Sequence, residues 1–430
     1  MRTHHGDARR TRQRSARGRA FKCVAAVVFA ALSSASSVAL AADSALAAPP
    51  TSPSIGVSPG GPFMWLSDAN LHRELGVMRS AGAGRLRIDV DWSAVESRPG
   101  VLDWTNTDRV VRAAERHGLQ VLGIVTYSPR WAQAASVPAG TTHGAPADPA
   151  VFARFASRAA ARYAGRITTW EVWNEPNLST FWAPRPNASA YGRLLVATAA
   201  AIRASAPGAA VLTGGLAPAT DKADGSQISP VTFVSRLYVS GAAKTADAVA
   251  VHPYSFPAMP TDTSTSSWNT FVRLGLIHAI MTKGGDQHKK IWLTEFGAPT
   301  GTSSVAVSEQ TQARMLASGL AKARRLTWVG PLFIYNGRDS GADAANPEHN
   351  FGIVRRNFSA KPAFAAVRAQ ATLNMSTRVQ PLPRILASLT DSPPAAAAAS
   401  APQALRPVQY GSRGRVVAQL QRKLHVRATG

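Results

Sequence analysis

The chain has 430 residues, of which 45% are hydrophobic and 17% charged. That composition excludes a disordered, collagenous or disulfide-framework protein and leaves enough apolar residues for a large core. The formal charge of +24 invites a nucleic-acid reading, but half of the excess lies in residues 1–48 and 401–430, and residues 49–370 carry no dense Lys/Arg run, which argues against a nucleic-acid groove.

The first element is an address. Arg9, Arg10, Arg12, Arg14, Arg17, Arg19 and Lys22 precede an apolar Ala/Val/Leu/Ser stretch over residues 23–42, which is the pattern of a secretory signal peptide. Ala39-Leu40-Ala41 offers small residues for cleavage, with Ala45-Leu46-Ala47 as a second candidate; an uncleaved anchor is the alternative, for which the stretch is short. The Arg9-Arg10 pair stands too far from the apolar stretch to specify twin-arginine export. The only cysteine, Cys23, falls in this segment, so a mature chain contains no thiol and folds on its core alone. The expectation is a secreted or cell-wall-associated protein, with residues 1–48 as signal and processing region and no membrane partner after cleavage.

From residue 49 onward, short β-branched or apolar runs alternate with amphipathic helical stretches, which argues for parallel strands joined by crossover helices. Strands are predicted over residues 55–57 (or 63–66), 85–90, 119–126, 167–174, 210–213, 246–252, 290–295 and 331–335. Eight such runs fit a closed (β/α)8 TIM barrel, here residues 49–370, better than a doubly wound sheet. Helices are predicted over residues 70–81, 149–163 and 308–325, each with its apolar side chains on one face. No Gly-rich phosphate loop follows the first strand, and the His and acidic residues have no short-range ligand spacing, so neither a nucleotide cofactor nor a metal is implied.

In such a barrel the polar residues that end apolar runs are the ones to weigh for chemistry. The fourth run ends Trp170-Glu171-Val172-Trp173-Asn174-Glu175-Pro176-Asn177, and the seventh ends Thr294-Glu295-Phe296-Gly297. Strands four and seven face each other across the mouth, so both carboxylates can reach one ligand. Paired carboxylates about 5–5.5 Å apart suit retaining glycoside hydrolysis. Sugars are held by aromatic faces, and Trp92, Tyr127, Trp131, Trp173, Phe181, Trp182 and Tyr335 are the strand-end candidates, whereas Trp104, Trp170, Trp292 and Trp328 read as packing residues. His252, in His252-Pro253-Tyr254, reads either as a satisfied histidine at the barrel mouth or as a substrate contact, and Arg87 reads as an interior partner of Asp89 or Asp91.

The strings 169–182 and Thr294-Glu295-Phe296-Gly297 resemble those of the clan A glycoside hydrolases, nearest to family 39 and the cellulase-like family 5 relatives, over roughly residues 54–370. The resemblance implies a retaining glycosidase acting on a β-linked polysaccharide or oligosaccharide, and the signal segment makes it a secreted one. It implies Glu175 as general acid/base, Glu295 as nucleophile, Asn174 on the sugar 2-hydroxyl, and Arg87 and Tyr254 as supports of the nucleophile. The chain departs from the clan at strand eight, where a tryptophan commonly lies under the sugar and Tyr335 stands here. A non-catalytic carbohydrate-binding barrel, a transglycosylase and a cell-wall adhesin are the alternatives.

Residues 371–407, with Pro393-Pro394 and a run of alanines, have linker composition. Residues 408–430 follow, where Gly411, Gly414, Val417, Leu420 and Gln421 are similar to the opening helix of peptidoglycan-binding modules, which implies contact with the cell wall; a basic tail with one amphipathic helix is the other reading.

Overall fold

The computed structural model describes residues 52–376. Eight parallel strands close into a barrel in chain order: β1 (Ser52–Val57), β2 (Ala83–Asp91), β3 (Gln120–Thr126), β4 (Thr169–Asn174), β5 (Ala210–Gly215), β6 (Ala248–Val251), β7 (Lys290–Phe296) and β8 (Val329–Ile334). Around them lie α1 (Asp68–Ser80), α2 (Trp92–Val95), α3 (Thr105–Arg116), α4 (Pro149–Arg162), α5 (Ala188–Ser205), α6 (Pro230–Val239), α7 (Thr270–Lys283), α8 (Glu309–Arg325) and α9 (Pro362–Ser376). The chain is a (β/α)8 barrel, as the eight apolar runs predict. Residues 63–65 of the alternative first strand, 63–66, belong instead to a 3-10 helix, Gly61–Trp65, which has a proline in its first turn and Leu66 as its C-cap. Helix α9 runs past residue 370, the boundary expected for the barrel. The signal region, the rest of the linker and residues 408–430 lie outside the described residues.

The helices begin where side chains accept orphan amide protons. Ser67 accepts from Asn70 at the start of α1, Asp148 from Ala150 at α4 and Ser308 from Thr311 at α8, each cap worth about 1 kcal/mol. Their apolar faces then seat on the strands: Leu71, Leu75 and Met78 of α1, and Phe152, Phe155 and Ala159 of α4, are buried.

Inside the barrel, Leu122, Leu212, Ala248, Ala250 and Phe333 form a small apolar plug with Trp292 packed against it. Phe333 fits because β1 presents Gly56 there: a Cβ would stand 2.3 Å from its ring. This plug closes the lumen, so polar groups can face a ligand only nearer the C-terminal ends of the strands.

Two local irregularities decide what reaches that mouth. Pairing of β7 with β8 shifts between Leu293 and Phe296, which adds a residue to β7. Strict alternation along β7 would send Glu295 outward, as Trp292 faces the plug and Thr294 lies toward His252. The bulge lets Thr294 and Glu295 both point inward, while Phe296 packs on Phe271 of α7. At β4 the same break is made by φ: Trp173 (71°) and Glu175 (47°) are left-handed. Glu171 and Asn174, three residues apart, consequently both reach Arg87.

Candidate active site

Arg87 of β2 is the hub. Buried, its guanidinium donates to Glu171 through Nε (2.9 Å) and Nη2 (2.8 Å), to Asn174 Oδ1 (2.8 Å), to Ser58 Oγ (3.1 Å) and to Glu295 Oε1 (2.5 Å). A buried cation requires such compensation, and the planar fork of arginine can serve several acceptors at once. The ion pairs are with Glu171 and Glu295. That corrects the alternative of an interior pair with Asp89 or Asp91.

The two glutamates have different surroundings. Glu295 receives Arg87 on Oε1 and the Tyr254 hydroxyl on Oε2 at 2.8 Å, with Ser58 Oγ at 3.4 Å from Oε1. Glu175 Oε1 lies 2.8 Å from His252 Nδ1. One carboxylate oxygen of each glutamate and a ring nitrogen of His252 all lie within 4.8 Å of one another. Burial pushes both carboxyls up. On Glu295 a full positive charge and a hydroxyl donor oppose the rise. On Glu175 the main opposing group is His252, whose own basicity burial lowers, with a weaker pull from Arg87. That asymmetry favours ionised Glu295 and protonated Glu175. A cation seated among these three groups would face the Arg87 guanidinium already occupying Glu295, so the donor set suits proton chemistry better than a metal.

One glycine and one asparagine hold this arrangement, and nothing in their local sequence assigns them that part. A Cβ on Gly215 would stand 2.1 Å from His252 Nε2, so only glycine at the end of β5 leaves space for the imidazole. The Gly215 amide donates to Glu171 Oε1 (2.7 Å), and its carbonyl accepts from the Glu175 amide (2.9 Å). Buried Asn177 donates to the carbonyls of Ala217 and Ile228 and accepts from the Ala217 amide, clamping the loop after β4 to the loop after β5. Glu171 and Ser58 are likewise site residues that only their meeting at Arg87 exposes.

Above the carboxylates opens a cavity of about 370 Å³, with Asn174, Glu175, Glu295, Arg87 and Tyr254 in its lining and Tyr127, Phe181, Tyr335, Phe256 and Phe351 among its aromatic walls. Tyr127, Phe181 and Tyr335 are therefore where a ligand can meet them. The tryptophan candidates are not. Trp92 is fully buried, stacked on Phe155 and bonded through Nε1 to Glu96 (2.7 Å). Trp182 is buried edge-on against Trp173 and Tyr191. Trp173, turned by its left-handed backbone, is buried with its indole N–H on the Phe181 carbonyl (2.7 Å). Trp131 is 38% exposed, but its ring packs on Trp92 and its N–H on the Glu96 carbonyl, outside the cavity. His252 is fully buried behind Glu175, which it touches in place of a ligand. The apolar interior between barrel and helices outcompetes the mouth for rings that could serve either.

No protein-family model matches the chain, and no curated protein sequence matches it. Solved structures do. A family 39 glycoside hydrolase from the gut symbiont Bacteroides cellulosilyticus WH2 superposes with a TM-score of 0.60 at 24% identity, covering 74% of this chain and 63% of that one. A monomeric β-xylosidase from Caulobacter crescentus CB15 gives a TM-score of 0.56 at 18% identity, covering 75% and 68%. GH5_18 from Streptomyces cattleya in complex with GlcNAc gives 0.58 at 17% identity, covering 78% and 83%. At these identities the likeness is one of fold: the chain shares its (β/α)8 barrel with these three proteins.

Proposed function

We propose that this chain is a retaining glycosidase of the clan A type that cleaves β-glycosidic bonds of a polysaccharide or oligosaccharide. The observation that carries the reading is the pair Glu175 and Glu295, with carboxylate oxygens within 4.8 Å and opposite partners. That proximity supports direct attack by one carboxylate, for which the carboxyl groups stand about 5–5.5 Å apart, over an inverting mechanism, whose intervening water needs about 6.5–9.5 Å.

In the first step a Glu295 oxygen bonds to the anomeric carbon as the glycosidic C–O bond breaks, and Glu175 gives its proton to the departing oxygen. In the second, ionised Glu175 takes a proton from the water that displaces Glu295. Arg87 and Tyr254 hold the nucleophile ionised and oriented. Asn174, its carbonyl oxygen taken by Arg87, presents its amide as donor to a sugar hydroxyl. We further propose, from the basic and then apolar N-terminal segment, that the protein acts outside the cytoplasm; N-terminal sequencing of secreted material tests it.

The decisive experiment gives wild type and Glu175→Ala a panel of aryl β-glycosides with and without azide. Cleavage by wild type, loss in the variant and partial rescue with formation of a β-glycosyl azide support the reading. Full activity in Glu295→Gln overturns it.

A further inference from the structure

The catalytic cavity has a neighbour. A second cavity, of about 420 Å³, shares Gly61, Met64 and Asp89 with the first and continues outward past Trp65, Asp91 and Asp103. Every residue lining it falls between Gly61 and Thr107, the segment from the end of β1 to the start of α3, and none comes from β4, whose end bears Glu175. Resting on the glycosidase reading, we propose that this second cavity is a sugar subsite that binds the unit next to the cleaved one, on the side away from the leaving group.

Trp65 is the feature that asks for a ligand. It is 68% exposed, the most exposed tryptophan among the described residues, and it lines the cavity instead of packing into the core. Exposed indole faces beside a catalytic cavity bind the apolar C–H face of a pyranose. The platform is fixed before any ligand arrives. Phe63 and Met64, the two residues before it in the same turn, are buried, and Arg109, paired with Asp68, donates to the Met64 carbonyl at 2.8 Å. A preformed stacking surface spends little entropy on binding. In the same lining, Asp91 and Asp103 each anchor a helix start through one oxygen, Asp91 on the Ser93 amide (2.8 Å) and Asp103 on the Thr105 amide (2.9 Å). Both line the cavity, where carboxylates accept hydroxyl protons of a sugar. Asp89 belongs to both cavities and so stands between the two sugar units.

The direction follows from the chemistry. The proton donor marks the leaving-group side, and the second cavity departs from the wall made by β1 and β2. The substrate is therefore a chain with at least two sugar units on the non-reducing side of the scissile bond.

The test compares full-length wild type, Trp65→Ala and Trp65→Phe on paired probes: 4-nitrophenyl β-glucoside with β-cellobioside, β-xyloside with β-xylobioside, and β-mannoside with β-mannobioside. For the responding sugar, wild type prefers the bioside in kcat/KM by about tenfold or more, Trp65→Ala loses most of that ratio, and Trp65→Phe restores much of it. A ratio that Trp65→Ala leaves intact, or a wild type with no bioside preference, overturns the subsite. Where wild type cleaves none of the six, tryptophan fluorescence of wild type and Trp65→Ala is titrated with cellobiose, xylobiose and mannobiose. A quench that requires Trp65 then upholds sugar binding in this cavity while the glycosidase reading, and with it the place beside a cleaved unit, falls; no quench overturns both.

Discussion

Arg87 holds Glu295 at 2.5 Å while its opposite edge is locked on Glu171. The nucleophile candidate is thereby positioned from β2 and β4 as much as from its own strand. A lysine at 87 is a single point charge that cannot serve Glu171, Asn174, Ser58 and Glu295 together. Arg87→Lys is expected to lower kcat about a hundredfold, the cost of a few kcal/mol in charge-assisted bonds, and to move the acidic limb of the pH profile upward because the displaced charge and lost hydrogen bond weaken the opposition to burial at Glu295. Unchanged kcat would remove Arg87 from the machinery.

His252 is a positioning residue for Glu175. Its hydrogen bond opposes the rise that burial causes in the Glu175 carboxyl. In His252→Ala that opposition is gone, so Glu175 keeps its proton to higher pH. The alkaline limb of kcat/KM, which reports loss of the acid, is expected to move upward by a measurable fraction of a pH unit or more. A limb that stays still or moves down contradicts the assignment.

Burial pushes the Asp89 carboxyl up to about 7, against the pull of Arg87 and with added repulsion from Asp91. The folded chain therefore keeps that proton to higher pH than the unfolded chain, and folding weakens as pH rises from about 4 through 7. Asp89→Asn lacks this penalty. Urea unfolding should show the variant gaining on the order of a few kcal/mol over wild type at pH 8 relative to the same comparison at pH 4. An equal difference at both pH values would refute the linkage.

Trp92 stabilises the fold rather than binding a ligand. Trp92→Phe removes its bond to Glu96 and part of its stacking on Phe155, which is expected to cost about 1–3 kcal/mol in urea unfolding. KM for a cleaved glycoside should stay within about twofold, since no part of Trp92 lines the cavity. A tenfold rise in KM with normal stability would return it to the ligand.

The barrel was legible because each of its strands is a short apolar run followed by a helix whose apolar positions recur at helical spacing, and parallel strands buried on both faces require that pattern. Glu175 and Glu295 stood out for a related reason, as charged residues ending apolar strings where a barrel opens. What the sequence could not determine is which way side chains point once alternation breaks. The extra residue in β7 and the left-handed Trp173 and Glu175 turn Glu295 and Asn174 inward, and these arise from pairing with neighbouring strands far away in the chain. The same holds for the aromatic residues. Trp92 and Trp182 went to the core and Trp65 to a cavity rim, because a ring at a strand end is placed by whichever surface encloses it, and that surface exists only after β1 through β8 have closed. Local sequence set the periodicity and the chemistry of the groups; the meeting of Arg87, Glu171 and Glu295 from three strands, and of Gly215 with His252, was decided by tertiary structure alone, since closing the barrel is what brings residues from β2, β4, β5, β6 and β7 within hydrogen-bond reach.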